Sequence, residues 1–198
     1  MKALIGQYIS LIPLDSSYQH ELQNAANNEE IFAFASNKAF GEHFESWWET
    51  GFKLHEKGEH IVFVVIRNSD QAIIGCTRFY DYSTQHRRLA IGYTWYITEV
   101  WGRGYNLEVK YLMLEHAFTE MAIQRVELIA NHLNVRSQKA IQKIGAKLEG
   151  VLRSHIQSSL GERKDTHVFS ILKSEWEADG RENLVEKINK AQRPEVNN

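Results

Sequence analysis

The sequence is poor in the residues that would place it in several large classes. Its single cysteine, Cys76, cannot close an internal disulfide, and between apolar neighbours it reads as a small core side chain rather than a nucleophile. Two prolines, Pro13 and Pro194, leave little material for a linker. No apolar run approaches the ~18 residues of a membrane span. The N-terminal stretch MKALIGQYISLIPLD lacks a signal-peptide apolar run followed by a small-residue cleavage site. A large excess of one charge is also missing. The net charge is −2 and the only basic cluster is HRR at 86–88, so nucleic acid is not the expected partner. There is no repeat or low-complexity tract, and no metal site is expected. These absences lead to the expectation of a soluble, cytoplasmic protein with no membrane partner.

What is present is 198 residues, 43% of them hydrophobic, enough for one domain with a sizeable core. The domain is drawn at residues 1–176, followed by a charged helical extension at 177–198. YISLIPL (8–14) reads as a strand, and Asp15 is placed to cap a helix over 16–27. Residues 29–58 read as helix in two pieces, broken near 36–41 and stopped at Gly58. HIVFVVIR (60–67) and AIIGCTRFYDY (72–82) read as a hairpin around NSDQ, and RLAIGYTWYIT (88–98) as a further strand. NLEVKYLMLEHAFTEM (106–121) places Leu107, Tyr111, Leu114 and Phe118 on one helical stripe. A strand (125–133), a helix (135–145) ended by Gly145, two strands (147–157 and 164–173) around SSLGER, and a charged helix complete a mixed α/β order. Strand 88–98, helix 106–121 and strand 125–133 form a βαβ unit, which should cross over right-handedly.

Between strand and helix lies EVWGRGYNLEVKYL (99–112). Glycine lets backbone approach a ligand closely, and the first N–H groups of a helix lack intrahelical partners at its positive end. That is anion-binding architecture. The loop is neither a Rossmann nor a Walker fingerprint, and by itself it is equally a tight turn.

The ordered set WGRGYNLEVKYLMLEHAF, RVELIA, NVRSQKAIQKIGAKLEGVLR and GERKDTHVFSILKSEW resembles the GNAT N-acetyltransferases. Within that family it resembles the ribosomal-protein N-terminal acetyltransferase (RimJ/RimL-like) branch. NLEVKYLMLEHAF is also similar to relatives of the microcin C self-immunity acetyltransferase, which act on a toxic aminoacyl-nucleotide. The resemblance implies a mixed, mostly antiparallel sheet of about six to seven strands flanked by helices. It also implies a splayed strand pair, acetyl-CoA as acetyl donor and an amine as acceptor. Trp101, Gly102, Arg103, Gly104, Tyr105 and Asn106 would hold the pyrophosphate. The pantetheine arm would pair with backbone near Ile97, Asn134 would bond that arm, and Ser137 would sit near the thioester sulfur. Trp101 and Asn106 depart from the usual loop pattern, and Ala146 stands where phenylalanine is common.

Acetyl transfer to an amine needs a proton acceptor, oxyanion donors and support for the leaving thiolate. The tyrosine that many GNAT enzymes use for the thiolate is absent, with Ile141 near its place, so Ser137 is the candidate. The strand glutamate of the ribosomal-protein branch is absent as well, and His155 is the nearest titratable group. Glu99 and Asp81 read as solvated carboxylates and Glu108 as structural; Arg103 suits a phosphate and solvent equally. On the acceptor side Trp47 and Trp48 are about 100° apart on a helix, so one of them can line a cleft while the other is core. A peptide N-terminus, a small amine and a non-catalytic acyl-CoA sensor all stay open, as do monomer and homodimer.

Overall fold

The computed structural model describes residues 1–35, 37–157 and 161–191. Eight strands form one sheet in the order β1-β2-β3-β4-β5-β6-β8-β7. They are β1 (Leu4–Ile5), β2 (Ile9–Pro13), β3 (Ile61–Arg67), β4 (Ile73–Ser83), β5 (Arg88–Tyr96), β6 (Arg125–Asn131), β7 (Lys147–Gln157) and β8 (Arg163–Leu172). The expected six to seven become eight because the N-terminal residues Leu4 and Ile5 pair with Leu11 and Ser10 of β2. Every neighbouring pair is antiparallel except β5 and β6.

The helices are α1 (Gln19–Ala26), α2 (Phe44–Glu56), α3 (Tyr105–Thr119) and α4 (Val135–Lys143), with a last helix at Arg181–Ala191. Asp15 accepts from the Ser17 N–H, starting the turn that leads into α1 as its side chain suggests. The first of the two helical pieces expected over 29–58 is only a 3-10 turn, Glu29–Phe32. Its apolar residues form one short run, Ile31 to Ala35, with no helical period, and within the turn Phe32 alone is buried. The turn SSLGER falls partly outside the described residues.

Two apolar clusters stabilise the sheet. One, under α3 and the last helix, includes Leu107, Met113, Leu114 and Phe118. The other, under α1 and α2, includes Phe32, Phe44, Trp48, Cys76 and Trp95. Helix α3 is buried on more than the expected stripe, because the C-terminal segment covers its outer side. Trp176, fully buried, packs on Tyr111 and Phe118. Its indole N–H donates to Glu115 Oε2 at 3.0 Å, which also receives the Arg181 Nε. Glu108, Lys110 and His116 of α3 are buried as well, on its sides toward the sheet and the N-terminal hairpin. Glu108 is satisfied there by accepting from the backbone N–H groups of Gln7, Tyr8 and Ile9, which ties the N-terminal hairpin to α3.

Candidate active site

Strands β5 and β6 pair only at Arg88, Leu89 and Ala90 with Arg125, Val126 and Glu127. Beyond that point they separate. A bulge in β5 turns its later residues away. The pairing of β5 with β4 slips between Cys76 and Arg78, where Tyr93 has φ 51°. An extra residue in one strand bends it and breaks the ladder. The opening is a cleft of about 470 Å³. Its walls include Thr94, Trp95 and Tyr96 from β5 and Leu128 to Asn131 from β6.

One end of the cleft is the glycine loop. Gly102 and Gly104 both have left-handed φ, 77° and 83°, a region that favours glycine. Gly104 is the residue before α3. The N–H groups of Trp101 and Arg103 donate to the carbonyls of Thr98 and Val100. Those of Gly102, Gly104, Tyr105 and Asn106 find no backbone acceptor among the described residues. A Cβ on Gly102 would meet nothing within 4 Å, so the loop bounds open space. The Trp101 indole donates to the Tyr96 carbonyl at 3.0 Å, and the Arg136 guanidinium lies 3.6 Å above the Trp101 ring. A stacked guanidinium keeps its edge N–H groups for a second partner, and phosphate suits their geometry. The Asn106 side chain accepts from the Tyr96 hydroxyl at 3.0 Å, so its oxygen is engaged with β5 beneath the loop. Unpaired N–H groups, a helix start and an adjacent arginine fit a pyrophosphate.

The other sequence candidates separate. Trp101, Gly102, Gly104, Tyr105, Asn106, Asn134 and Ser137 all line the cleft, whereas Ile97 and Arg103 do not. Both backbone groups of Ile97 are used inside the chain: its N–H bonds the Ile74 carbonyl and its carbonyl receives Val100. Asn134 caps α4, its Oδ1 accepting from the Ser137 N–H at 2.9 Å. The Ser137 hydroxyl has no partner among the described residues. His155 is exposed on β7, and its Nδ1 lies 3.1 Å from Thr166 Oγ1; Thr166 lines the cleft and His155 does not. Trp47 lines the cleft, while Trp48 is 6% exposed and stacks with Phe44 and Phe52. The two adjacent indoles thus divide between cleft and core.

Four features were not singled out from the sequence. Tyr80, Tyr93 and Trp95 join Phe32, Phe34 and Trp47 as an aromatic wall, and the Trp95 indole N–H is buried without a partner among the described residues. Arg136 carries no local signal beyond its place in the helix 135–145. Thr94 lay inside an ordinary strand. Lys110 carried a signal: three residues after Leu107 and four before Leu114, it falls on the apolar side of α3. Burial pushes its amine down to about 7. Among the described residues the cations lining the cleft are Lys110, Arg136 and Lys164, against one carboxylate, Asp165, which accepts from the Ser154 N–H.

Residues 9–147 match the family model described as an acetyltransferase (GNAT) domain. The chain is 30% identical over 125 residues to the uncharacterized N-acetyltransferase YoaA of Bacillus subtilis, a match covering 63% of this chain and 70% of that protein. A GCN5-related N-acetyltransferase from Brucella melitensis shares its fold, with TM-score 0.84 and 24% identity over 100% of this chain and 88% of that one. The spermidine N-acetyltransferase of Vibrio cholerae, solved with CoA and spermine, does so with TM-score 0.73 and 19% identity, over 86% of this chain and 99% of that one. Among the described residues no helix is long and apolar enough to cross a membrane.

Proposed function

This chain belongs to the GNAT family of acetyl-CoA-dependent N-acetyltransferases, and on that premise we propose that its acceptor is the primary amine of a small molecule with a flat, apolar body. The observation that carries this reading is the wall of Phe32, Phe34, Trp47, Tyr80, Tyr93 and Trp95. Aromatic rings bind planar apolar groups by stacking and area burial. A polyamine or a basic peptide would call for carboxylates, and among the described residues the lining holds only Asp165, already bonded to backbone. The motif likeness to the ribosomal-protein branch favours a peptide N-terminus; the aromatic wall favours the small amine.

The residues divide the work as follows. Backbone N–H groups of 102–106, with Arg136, hold the pyrophosphate. Bound acetyl-CoA supplies the activated acetyl group. Asn134 keeps its Nδ2 for the donor's arm while its Oδ1 caps α4. The Ser137 hydroxyl bonds the leaving sulfur.

The test is release of CoA thiol from acetyl-CoA with 2-phenylethylamine, tryptamine, spermidine and a lysine-rich peptide with a free N-terminus. Higher kcat/KM for the aromatic amines supports the reading. Preference for spermidine or the peptide overturns it.

A further inference from the structure

Of the three cations lining the cleft, Arg136 is exposed and Lys164 is half-buried, whereas Lys110 is 5% exposed. Its Nζ donates to Thr94 Oγ1 at 2.8 Å and to Thr77 Oγ1 at 3.4 Å. The two hydroxyls are 2.8 Å apart, and Thr94 Oγ1 also lies 3.4 Å from the Gly92 carbonyl. Thr94 belongs to the β5 bulge and lines the cleft. No carboxylate is within ion-pair distance of Lys110 among the described residues.

Hydrogen-bond accounting then favours a neutral amine. A neutral amine has two N–H donors, which Thr77 and Thr94 accept, and one lone pair. An ammonium has a third N–H with no acceptor here, and an unsatisfied buried donor is costly. The neighbours do not change this. On β5, Tyr96 shares the face of Thr94, is held protonated by burial and donates to Asn106. On α3, Glu108 bonds the N-terminal backbone, and His116 lies beside Phe79. On β4, Cys76 and Arg78 alternate to the face opposite Thr77, Arg78 against Tyr93. Burial alone sets the lowered Lys110 pKa.

We infer that Lys110, working through the Thr94 hydroxyl on the cleft wall, takes the proton that the acceptor amine gives up. This rests on the acetyl-transfer reading above. As the N–C bond forms and the C–S bond breaks, one proton leaves the amine nitrogen. The Lys110 amine turns its lone pair in place of an N–H toward Thr94, 2.8 Å away; the acceptor's proton passes to Thr94 Oγ1, and the proton that hydroxyl already carried moves to the lone pair. The same route in reverse protonates the thiolate, so CoA leaves as the thiol and Lys110 ends neutral. His155, outside the cleft, has no such path except through Thr166.

The test compares wild type with Lys110→Met, Thr94→Val and Thr94→Ser. With 2-phenylethylamine as acceptor, wild-type kcat rises with pH along a limb centred near 7. Lys110→Met loses about 100-fold or more at pH 7.5, within the range of general base catalysis, and loses the limb. Its affinity for acetyl-CoA is unchanged. Thr94→Val falls comparably and Thr94→Ser recovers. A second readout needs no turnover. A lysine neutral in the folded state and charged when unfolded makes folding release a proton between the folded and unfolded pKa values. Wild-type unfolding therefore becomes less favourable relative to Lys110→Met by about tenfold per pH unit between 7.5 and 9.5. If the two proteins keep a constant ratio, Lys110 is charged and the inference fails. A retained limb in Lys110→Met, or equal activity of the Thr94 variants, also overturns it. The Thr94 pair decides the matter if Lys110→Met does not fold. Neutral Lys110 with no thiol release from any amine tested refutes acetyl transfer itself, and the inference with it.

Discussion

Substituting Gly104 with valine tests the anion cradle. Gly104 has φ 83°, where a residue with a Cβ costs about 1–2 kcal/mol. The loop has two responses. It keeps its shape and the protein is less stable by that amount, or it relaxes and the N–H groups of 104–106 swing away from the cleft. Hydrogen bonds to a charged group contribute about 1.5–3 kcal/mol each, so losing two weakens binding by roughly 3–6 kcal/mol, at least about 100-fold in Kd. A branched side chain at the phosphate approach adds to that loss. Gly58 supplies the control. Its φ is 71° with open space beside it, and it follows α2 outside the cleft lining, so Gly58→Val carries the same strain without touching the cradle. Denaturant unfolding of both variants and calorimetric titration with acetyl-CoA separate the effects. The expected result is a similar stability loss in both and a large affinity loss only in Gly104→Val. Unchanged affinity in folded Gly104→Val would refute the loop assignment.

Other perturbations are expected to fall on separate steps. Ser137→Ala lowers kcat with little change in acetyl-CoA affinity, read from steady-state kinetics and titration; equal loss of both makes Ser137 a binding residue. Trp47→Ala raises KM for tryptamine while Trp48→Ala mainly lowers the unfolding midpoint, since one indole faces the cleft and the other the core. Trp176→Ala costs about 3–5 kcal/mol of stability, and cooperative denaturant unfolding of full-length protein measures it. Glu149, held down to about 2 by Arg125 and then Ser170, contributes stability that is complete above the ordinary carboxylate pKa. That contribution is lost as pH falls through the lowered value, so Arg125→Ala narrows the acid difference from wild type below pH ~4.

Much of the scaffold was legible because its signals are local. Asp15 before α1, Gly58 and Gly145 after helices, and the β-branched run of β3 each announce an element through nearby backbone chemistry. The glycine loop was legible for the same reason: a strand, two glycines and an apolar helical period are adjacent in sequence. The extra strand β1 was not, because two residues become a strand only when β2 offers a partner. The segment after α1 was misjudged as helix, since its fate is decided by Phe32 packing against Phe40 and Trp95. The aromatic wall and Arg136 over Trp101 come from elements far apart in the chain, and no spacing rule joins them. Lys110 lay in plain view on an apolar stripe. Its meaning required Thr77 and Thr94, residues on two strands that nothing in the helix foretells.

The central claim is that acetyl-CoA occupies the gap between β5 and β6 with its phosphates on the glycine loop. Backbone hydrogen exchange of the wild-type protein, followed by mass spectrometry with and without acetyl-CoA, tests this most directly. The account predicts slowed exchange in peptides covering 93–107 and 134–137, with Gly102, Gly104, Tyr105 and Asn106 newly bonded, and little change in α1 and α2. Saturating acetyl-CoA that leaves those peptides unchanged, or protects another surface instead, would contradict it.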